Sequence, residues 1–184
     1  MKYPTLETER LELQPILLEH APALFEIFSD EETIQYVPIP KHHAIADTTA
    51  YLEKLMANNE AEKASVWSVY SKEENRVFGN LGLYAEDPAN HSASLGVIIH
   101  KDFWRKGYVV EALQKVIDYS FSTKDLVRIE ARVDSNNPAS YKMLEKLGMV
   151  YEGTLRKDCF LKGSQRSTKI YSILKEEWMS RLVK

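Results

Sequence analysis

An indole, two cations and a glycine fall together at Trp104, Arg105, Lys106 and Gly107, between an apolar stretch ending at Ile99 and a helix-like stretch opening at Tyr108. The first N–H groups of a helix have no partners inside it, and the helix macrodipole places partial positive charge at that end. Arg105 and Lys106 add full charges there, so the segment reads as a site for a phosphate or pyrophosphate. Gly107 supports this reading, because a residue without Cβ lets backbone approach an anion closely. The bland alternative is a solvated helix start.

Other reactive residue types are sparse. The single cysteine, Cys159, excludes an internal disulfide and a cysteine-only zinc site; it reads as a half-buried strand residue, with a reactive thiol as the alternative. His42 and His43 are adjacent, but no further ligand cluster accompanies them, so they read as flexible loop histidines and no metal is expected. Glu86, Asp87, His91 and Asp158 could reach a central cleft as a base, or be solvated turn and strand-end groups.

These residues need elements to hold them. Leu11 and Leu13 alternate with Arg10, Glu12 and Gln14 in a short strand stopped by Pro15. Ala21, Leu24, Phe25 and Phe28 fall at helical spacing, and a second helix is predicted from Asp47, as N-cap, to about residue 64. Between them lies TIQYVPIPKHH, where Pro38 and Pro40 exclude regular helix; it reads as a substrate-side loop. Strands at 66–70, 77–84 and 93–99, separated by the turn signals KEEN and EDPAN, should form an antiparallel meander. After the basic turn, Val109, Leu113, Val116, Ile117 and Phe121 give a helix its core face. RIEARV then reads as a strand, PASYKMLEKLG as a helix closed by Gly148, and two strands near 149–158 and 168–174 finish the fold.

Composition narrows the class. A chain of 184 residues suits one domain, here 1–184. Its 44% hydrophobic and 28% charged content is ordinary for a globular protein, and no apolar run nears the roughly 20 residues that span a bilayer. No membrane role is expected. The opening MKYPTLETERLEL has neither an apolar h-region nor a small-residue cleavage site, so a cytoplasmic location is expected. Net charge is −3, from 24 basic against 27 acidic residues, so no bulk positive field draws the protein onto nucleic acid, and no direct nucleic-acid contact is predicted.

Taken in order, TLETERLELQPI, GNLGL at 79–83, SLGVII at 94–99, WRKGYVVEA at 104–112, NPASYKMLEKLGM at 137–149, EG at 152–153 and YSILKEEW at 171–178 resemble the GNAT acetyltransferase superfamily, in its RimJ/RimL-type branch. The resemblance implies a mixed α/β GNAT fold, with a central, mostly antiparallel twisted sheet of about six or seven strands flanked by about four helices. It also implies acetyl-CoA as cosubstrate. Trp104, Arg105, Lys106, Gly107, Tyr108 and Val109 would then wrap the pyrophosphate. Val97, Ile98 and Ile99 would offer backbone groups to the pantetheine arm and the thioester carbonyl, and Asn137 would contact the coenzyme. Ser140 stands where the branch carries a serine suggested to protonate the leaving thiolate; its alternative role is a helix-start hydroxyl bonded to backbone.

The chain departs from the family pattern at several points. Glycine is usual where Arg105 stands, and alanine or glycine where Val109 stands; Arg105 adds a cation, and branched Val109 is expected to crowd the turn. The position of a frequent tyrosine acid holds Leu144, while Tyr141 belongs to another helical face and reads as packing, with a catalytic group as the alternative. Acidic residues expected near Cys159 and near Ser167 are missing. An α-amine, with pKa about 7.7–8.0, is partly neutral near pH 7, whereas a lysine at about 10.4 needs roughly 3 kcal/mol more deprotonation work. The lack of an obvious base therefore favours an α-amine. The expected activity is acetyl transfer to a primary amine, foremost a protein N-terminus of the ribosomal-protein type. A polyamine, amino acid or antibiotic is the alternative acceptor, and a non-catalytic acyl-CoA-binding module the alternative function. A nucleotide-binding P-loop protein is a third reading, and it conflicts with the missing GK[ST] ending. Exposed sheet edges suit pairing in a homodimer.

Overall fold

The structure, a computed structural model, describes residues 3–182. The strands are β1 (Leu6–Glu7), β2 (Leu11–Pro15), β3 (Ser65–Ser71), β4 (Arg76–Asp87), β5 (Ser92–Ile99), β6 (Arg128–Asp134), β7 (Val150–Leu161) and β8 (Ser164–Leu174). The α-helices are α1 (Ala21–Phe28), α2 (Glu31–Ile34), α3 (Ile45–Glu60), α4 (Tyr108–Thr123), α5 (Pro138–Lys146) and α6 (Lys175–Leu182). The mixed α/β class holds, with eight strands and six helices among the described residues. The additions are elements that periodicity registers poorly: β1 has two residues and α2 a single turn. Helix α6 follows β8 without a break; Trp178 anchors it, its indole donating to Asp118 Oδ1 at 2.5 Å.

One sheet runs in the order β1-β2-β3-β4-β5-β6-β8-β7. The expected meander of β3, β4 and β5 is antiparallel, as are all other neighbours except β5 and β6, which run parallel. That crossover passes through α4, as a parallel connection requires. Helices cover the two faces unequally. On one face, Leu113, Val116, Ile117 and Phe121 of α4, Leu144 of α5 and Trp178 of α6 pack on β2 to β6 and β8. On the other, α1, α2 and α3 pack on Val66, Val77 and Ile98, and this cluster takes no residue from β6, β7 or β8.

Two expectations are corrected. Asp47 is not the N-cap of its helix: α3 starts two residues earlier, and the Asp47 carboxylate reaches back to accept from the N–H groups of His43 (2.8 Å) and Ala44 (3.0 Å). It thus supplies the acidic half of a capping arrangement from inside the first turn. His42 is not a flexible loop histidine. It is buried against Phe28 and Tyr51, with Nδ1 2.8 Å from Thr48 Oγ1, and burial lowers its pKa and keeps it neutral.

Candidate active site

The segment after β5 is built to present N–H groups. A short 3-10 turn, Lys101–Phe103, ends where the Trp104 N–H donates to the Lys101 carbonyl at 3.0 Å. The next intrachain bond is Glu111 N–H to the Gly107 carbonyl at 3.2 Å. Among the described residues, the N–H groups of Arg105, Lys106, Gly107, Tyr108, Val109 and Val110 have no protein acceptor. Six donors are thus free at the positive end of a 16-residue helix, an arrangement suited to an anion. Gly107 caps α4 at φ 84°, in the left-handed region. Arg105 is also left-handed, at φ 61°, which accounts physically for a glycine being usual there. Val109 packs its side chain against the core, so its branch turns away from the cradle.

Sequence reasoning missed what fixes this turn from outside. Glu111, in the first turn of α4, accepts from Thr8 Oγ1 (2.6 Å), the Arg10 N–H (3.0 Å) and Arg10 Nε (2.7 Å). Arg10 also donates to the Lys106 carbonyl at 3.1 Å and lies over the Tyr108 ring at 4.4 Å. Burial would raise the Glu111 pKa, but the bonds from Thr8 and Arg10 and the Arg10 charge outweigh it and hold the carboxyl below its usual value. The TLETER motif at the start of the chain thus braces a turn about a hundred residues away.

The sheet opens beside this turn. β5 and β6 pair only at Ser92↔Arg128, Ala93↔Ile129 and Ser94↔Glu130, and beyond Ser94 the edge of β5 that faces β6 has no strand partner. A cavity of about 190 Å³ fills the split. Gly96 and Val97 line it from β5, residues 131–134 from β6, Asn137, Ser140 and Leu144 from the α5 region, and residues 36–38 from the proline loop. Gly96 is required here, since a Cβ would come within 2.8 Å of the Tyr84 ring. Ile98 and Ile99 are buried in opposite cores, and the Ile99 carbonyl accepts from Trp104 Nε1 at 3.1 Å, which ties the indole over the end of β5.

Asn137 caps α5, its Oδ1 accepting from the Ser140 N–H at 3.2 Å. The Ser140 hydroxyl has no protein partner among the described residues. Tyr141 packs beneath Lys169 Nζ, 3.9 Å from the ring centre. Leu144 is buried. The loop reading of TIQYVPIPKHH holds in part: residues 36–38 face the cavity, and Lys162 at the β7–β8 turn donates to the Ile34 carbonyl at 2.7 Å, tying the hairpin to the loop.

The remaining base candidates lie elsewhere or are engaged. Glu86 accepts from Lys124 (2.7 Å) and Ser65 (2.5 Å); Asp87 caps its own turn; His91 sits 3.1 Å from Asp125. All three lie at the closed end of the β5–β6 pair. Asp158 pairs with Arg132 at 3.2 Å, and Cys159 is half-buried on β7 with Sγ 3.8 Å from Thr168 Oγ1. The Tyr84 ring lies beside Gly96 and Tyr51 beside Tyr84; burial pushes Tyr51 up to about 12 and raises Tyr84 well above its usual value, so both stay protonated at neutral pH.

One carboxylate that the sequence did not single out lies at the cavity itself. Asp134, the last residue of β6, has a side chain 4% exposed; its Oδ1 accepts from the Asn136 N–H at 2.8 Å. Its Oδ2 makes no hydrogen bond but forms an ion pair with Arg166 Nε at 3.9 Å. No group of three or more metal-ligating side chains occurs among the described residues.

The chain shares its fold and family with known proteins. Residues 10–150 match the model of the acetyltransferase (GNAT) domain. The chain belongs to the GNAT acetyltransferase family. It is 34% identical over 174 residues to the N-acetyltransferase p20 of Bacillus licheniformis, across 95% of this chain and 98% of that one. It is 31% identical over 173 residues to the N-acetyltransferase YoaA of Bacillus subtilis, across 94% and 98%. RimL, a ribosomal L7/L12 α-N-protein acetyltransferase solved with coenzyme A, has the same fold, with a TM-score of 0.87 at 18% identity over 95% and 99% of the two chains. The protein is therefore an acetyl-CoA-dependent N-acetyltransferase, and the free N–H groups of the turn and the open edge of β5 fit that cosubstrate.

Proposed function

We propose that this GNAT enzyme acetylates the α-amine of a protein or peptide N-terminus, the reaction that RimL's name describes. The observation that carries the reading is the sheet face beyond the split, which no helix of the second core covers. It is framed by a hairpin bearing Arg156, Lys157, Lys162 and Arg166 against Glu152 and Asp158. An open strip admits a peptide, and its positive balance works against a polyamine.

In this reading the N–H groups of residues 105–110, with Arg105 and Lys106, hold the pyrophosphate, and the free edge of β5 at Gly96, Val97 and Ile98 aligns the pantetheine arm and receives the carbonyl oxygen. Acetyl-CoA supplies the acetyl group as a thioester. Ser140 hands a proton to the departing sulfur and recovers one from the acylated nitrogen. An α-amine is partly neutral near pH 7, so deprotonation needs little help.

The test is thiol release from acetyl-CoA with peptides carrying free Ser, Ala and Met termini, polyamines, amino acids and aminoglycosides, on the wild type and on Ser140→Ala. Turnover of the peptides is expected, with kcat of Ser140→Ala reduced about a hundredfold, as for loss of a general acid. Turnover of small amines alone overturns the peptide reading. An unchanged kcat removes Ser140 from the chemistry. Coenzyme binding without any turnover assigns a non-catalytic module.

A further inference from the structure

The backbone of β5 presents its polar groups in a fixed alternation. The His91 carbonyl accepts from the Val127 N–H on the β6 side at 2.8 Å, and the His100 N–H donates to the Phe78 carbonyl on the β4 side at 2.8 Å. Successive residues of a strand turn their N–H and C=O groups to opposite sides, so those of Val97 and Ile99 point into the split. Val97 lines the cavity there. The Ile99 carbonyl is already taken, because Trp104 Nε1 donates to it at 3.1 Å. Neighbouring contacts hold the indole in place. Phe103 stacks on Phe78 with ring centres 4.0 Å apart, and the Trp104 N–H donates to the Lys101 carbonyl at 3.0 Å. Trp104 is 38% exposed, so burial in the core does not account for an indole at this position.

We infer that Trp104 is a positioning residue that sets the register of the pantetheine arm on β5 by occupying the Ile99 carbonyl. The inference rests on the coenzyme seat proposed above and names the residue that fixes where the arm stops. The arm is flexible and carries amide N–H donors. Coming from the turn at residues 105–110, it meets Ile99 before Val97, and two carbonyls of the same orientation stand about 6.7 Å apart along a strand. An arm that paired at Ile99 would buckle and leave its thioester about that far short of the place reached by pairing at Val97. Reacting atoms must come within about 3–3.5 Å of one another, so the short register holds the coenzyme without allowing transfer. The indole N–H removes that register by filling its acceptor, and Val97 becomes the first open carbonyl the arm meets.

Trp104→Phe keeps a ring and removes the N–H. Opening the short register adds a non-productive complex, which lowers kcat and KM for acetyl-CoA by the same factor and leaves kcat/KM unchanged. Two registers of equal affinity give a factor of about two, and a fall of about two- to fivefold in both constants is expected. The acetyl-CoA dissociation constant from calorimetry, which needs no acceptor, should fall by that factor too. A merely structural role would instead raise KM as the site loosened. Met143→Trp tests the seat itself: Met143 lines the split from α5, and a larger ring there fills the path of the arm, so the acetyl-CoA dissociation constant is expected to rise at least tenfold. Thermal unfolding would confirm that each variant is folded, and Trp104→Leu serves if Trp104→Phe is not. A dissociation constant and KM that stay level or rise in Trp104→Phe, with affinity lost in Met143→Trp, overturn the register role alone. A folded Met143→Trp that binds acetyl-CoA as the wild type does overturns the seat on β5 and the register role together.

Discussion

Arg105 shows how one side chain can serve binding against local preference. An L-residue in the left-handed region costs about 1–2 kcal/mol, and glycine there avoids that cost at the expense of about 0.5–1 kcal/mol of chain entropy. Arg105→Gly is therefore expected to stabilise the fold by up to about 1 kcal/mol. On the proposed coenzyme site the substitution also removes a cation beside the pyrophosphate, so KM for acetyl-CoA is expected to rise severalfold. Thermal unfolding and acetyl-CoA kinetics of the one variant check both; a KM unchanged beside a raised Tm would mean that Arg105 makes no phosphate contact. The sequence exposes this residue by its departure from the family pattern, and the backbone angle gives the reason. Asp134 was not legible in the same way. It stands in DSNNPAS without periodicity, and the residue that pairs with it, Arg166, lies 32 positions away.

At the scale of elements, the turn is held by an N-terminal hairpin. Thr8 and Arg10, which flank the β1–β2 connection, place three donors on Glu111, and so couple the sheet's first strands to the start of α4. Glu111→Ala removes all three bonds. The group is partly exposed and Arg10 more so, so the expected loss is at the low end for charged hydrogen bonds, about 1–2 kcal/mol. Urea unfolding would measure it, with a rise in acetyl-CoA KM as the cradle loosens; a variant as stable as the wild type would show that the brace is dispensable. Because the folded Glu111 carboxyl lies below its usual value, its contribution is full above the unfolded pKa and is lost as pH falls through the folded one. Elements with strong local periodicity, α1, α4, α5 and the β3–β5 meander, were legible in the sequence. The two-residue β1, the single-turn α2 and the terminal α6 were not, because tertiary contacts decide whether such short segments are ordered.

Across the whole molecule, the β6–β8–β7 half has only one helix-covered face, and a charged network organises the other. Glu152 accepts from Arg128 Nη1 at 2.6 Å and from Ser172 Oγ at 2.6 Å. Those bonds, from Arg128 first and Ser172 second, take its carboxyl from 4.5 down to about 2. A depressed carboxylate contributes stability that is present above the unfolded pKa and lost as pH falls through the folded one, so this contribution fades between pH 4.5 and about 2. Glu152 is substantially exposed, so solvent screens the effect. Glu152→Gln is expected to flatten the acid limb of stability in that window while leaving the neutral limb parallel to the wild type. Denaturant midpoints across pH 2–7 would show it, and an identical acid slope in both proteins would refute it.

By itself the sequence determined the α/β class, the meander, the glycine turn that opens α4 and, through motifs in order along the chain, the acetyltransferase family. These are properties of local pattern, since period, turn residues and helix-start chemistry act over a few neighbours. Tertiary structure decided where β5 and β6 part, which carboxylate lies at the cavity, and which histidine is buried. Each depends on residues far apart in the chain meeting across strands: Asp134 beside Arg166, Glu111 beneath Arg10, His42 against Tyr51. No spacing along the chain encodes those meetings, because strand register and helix docking are set by burial over the whole sheet.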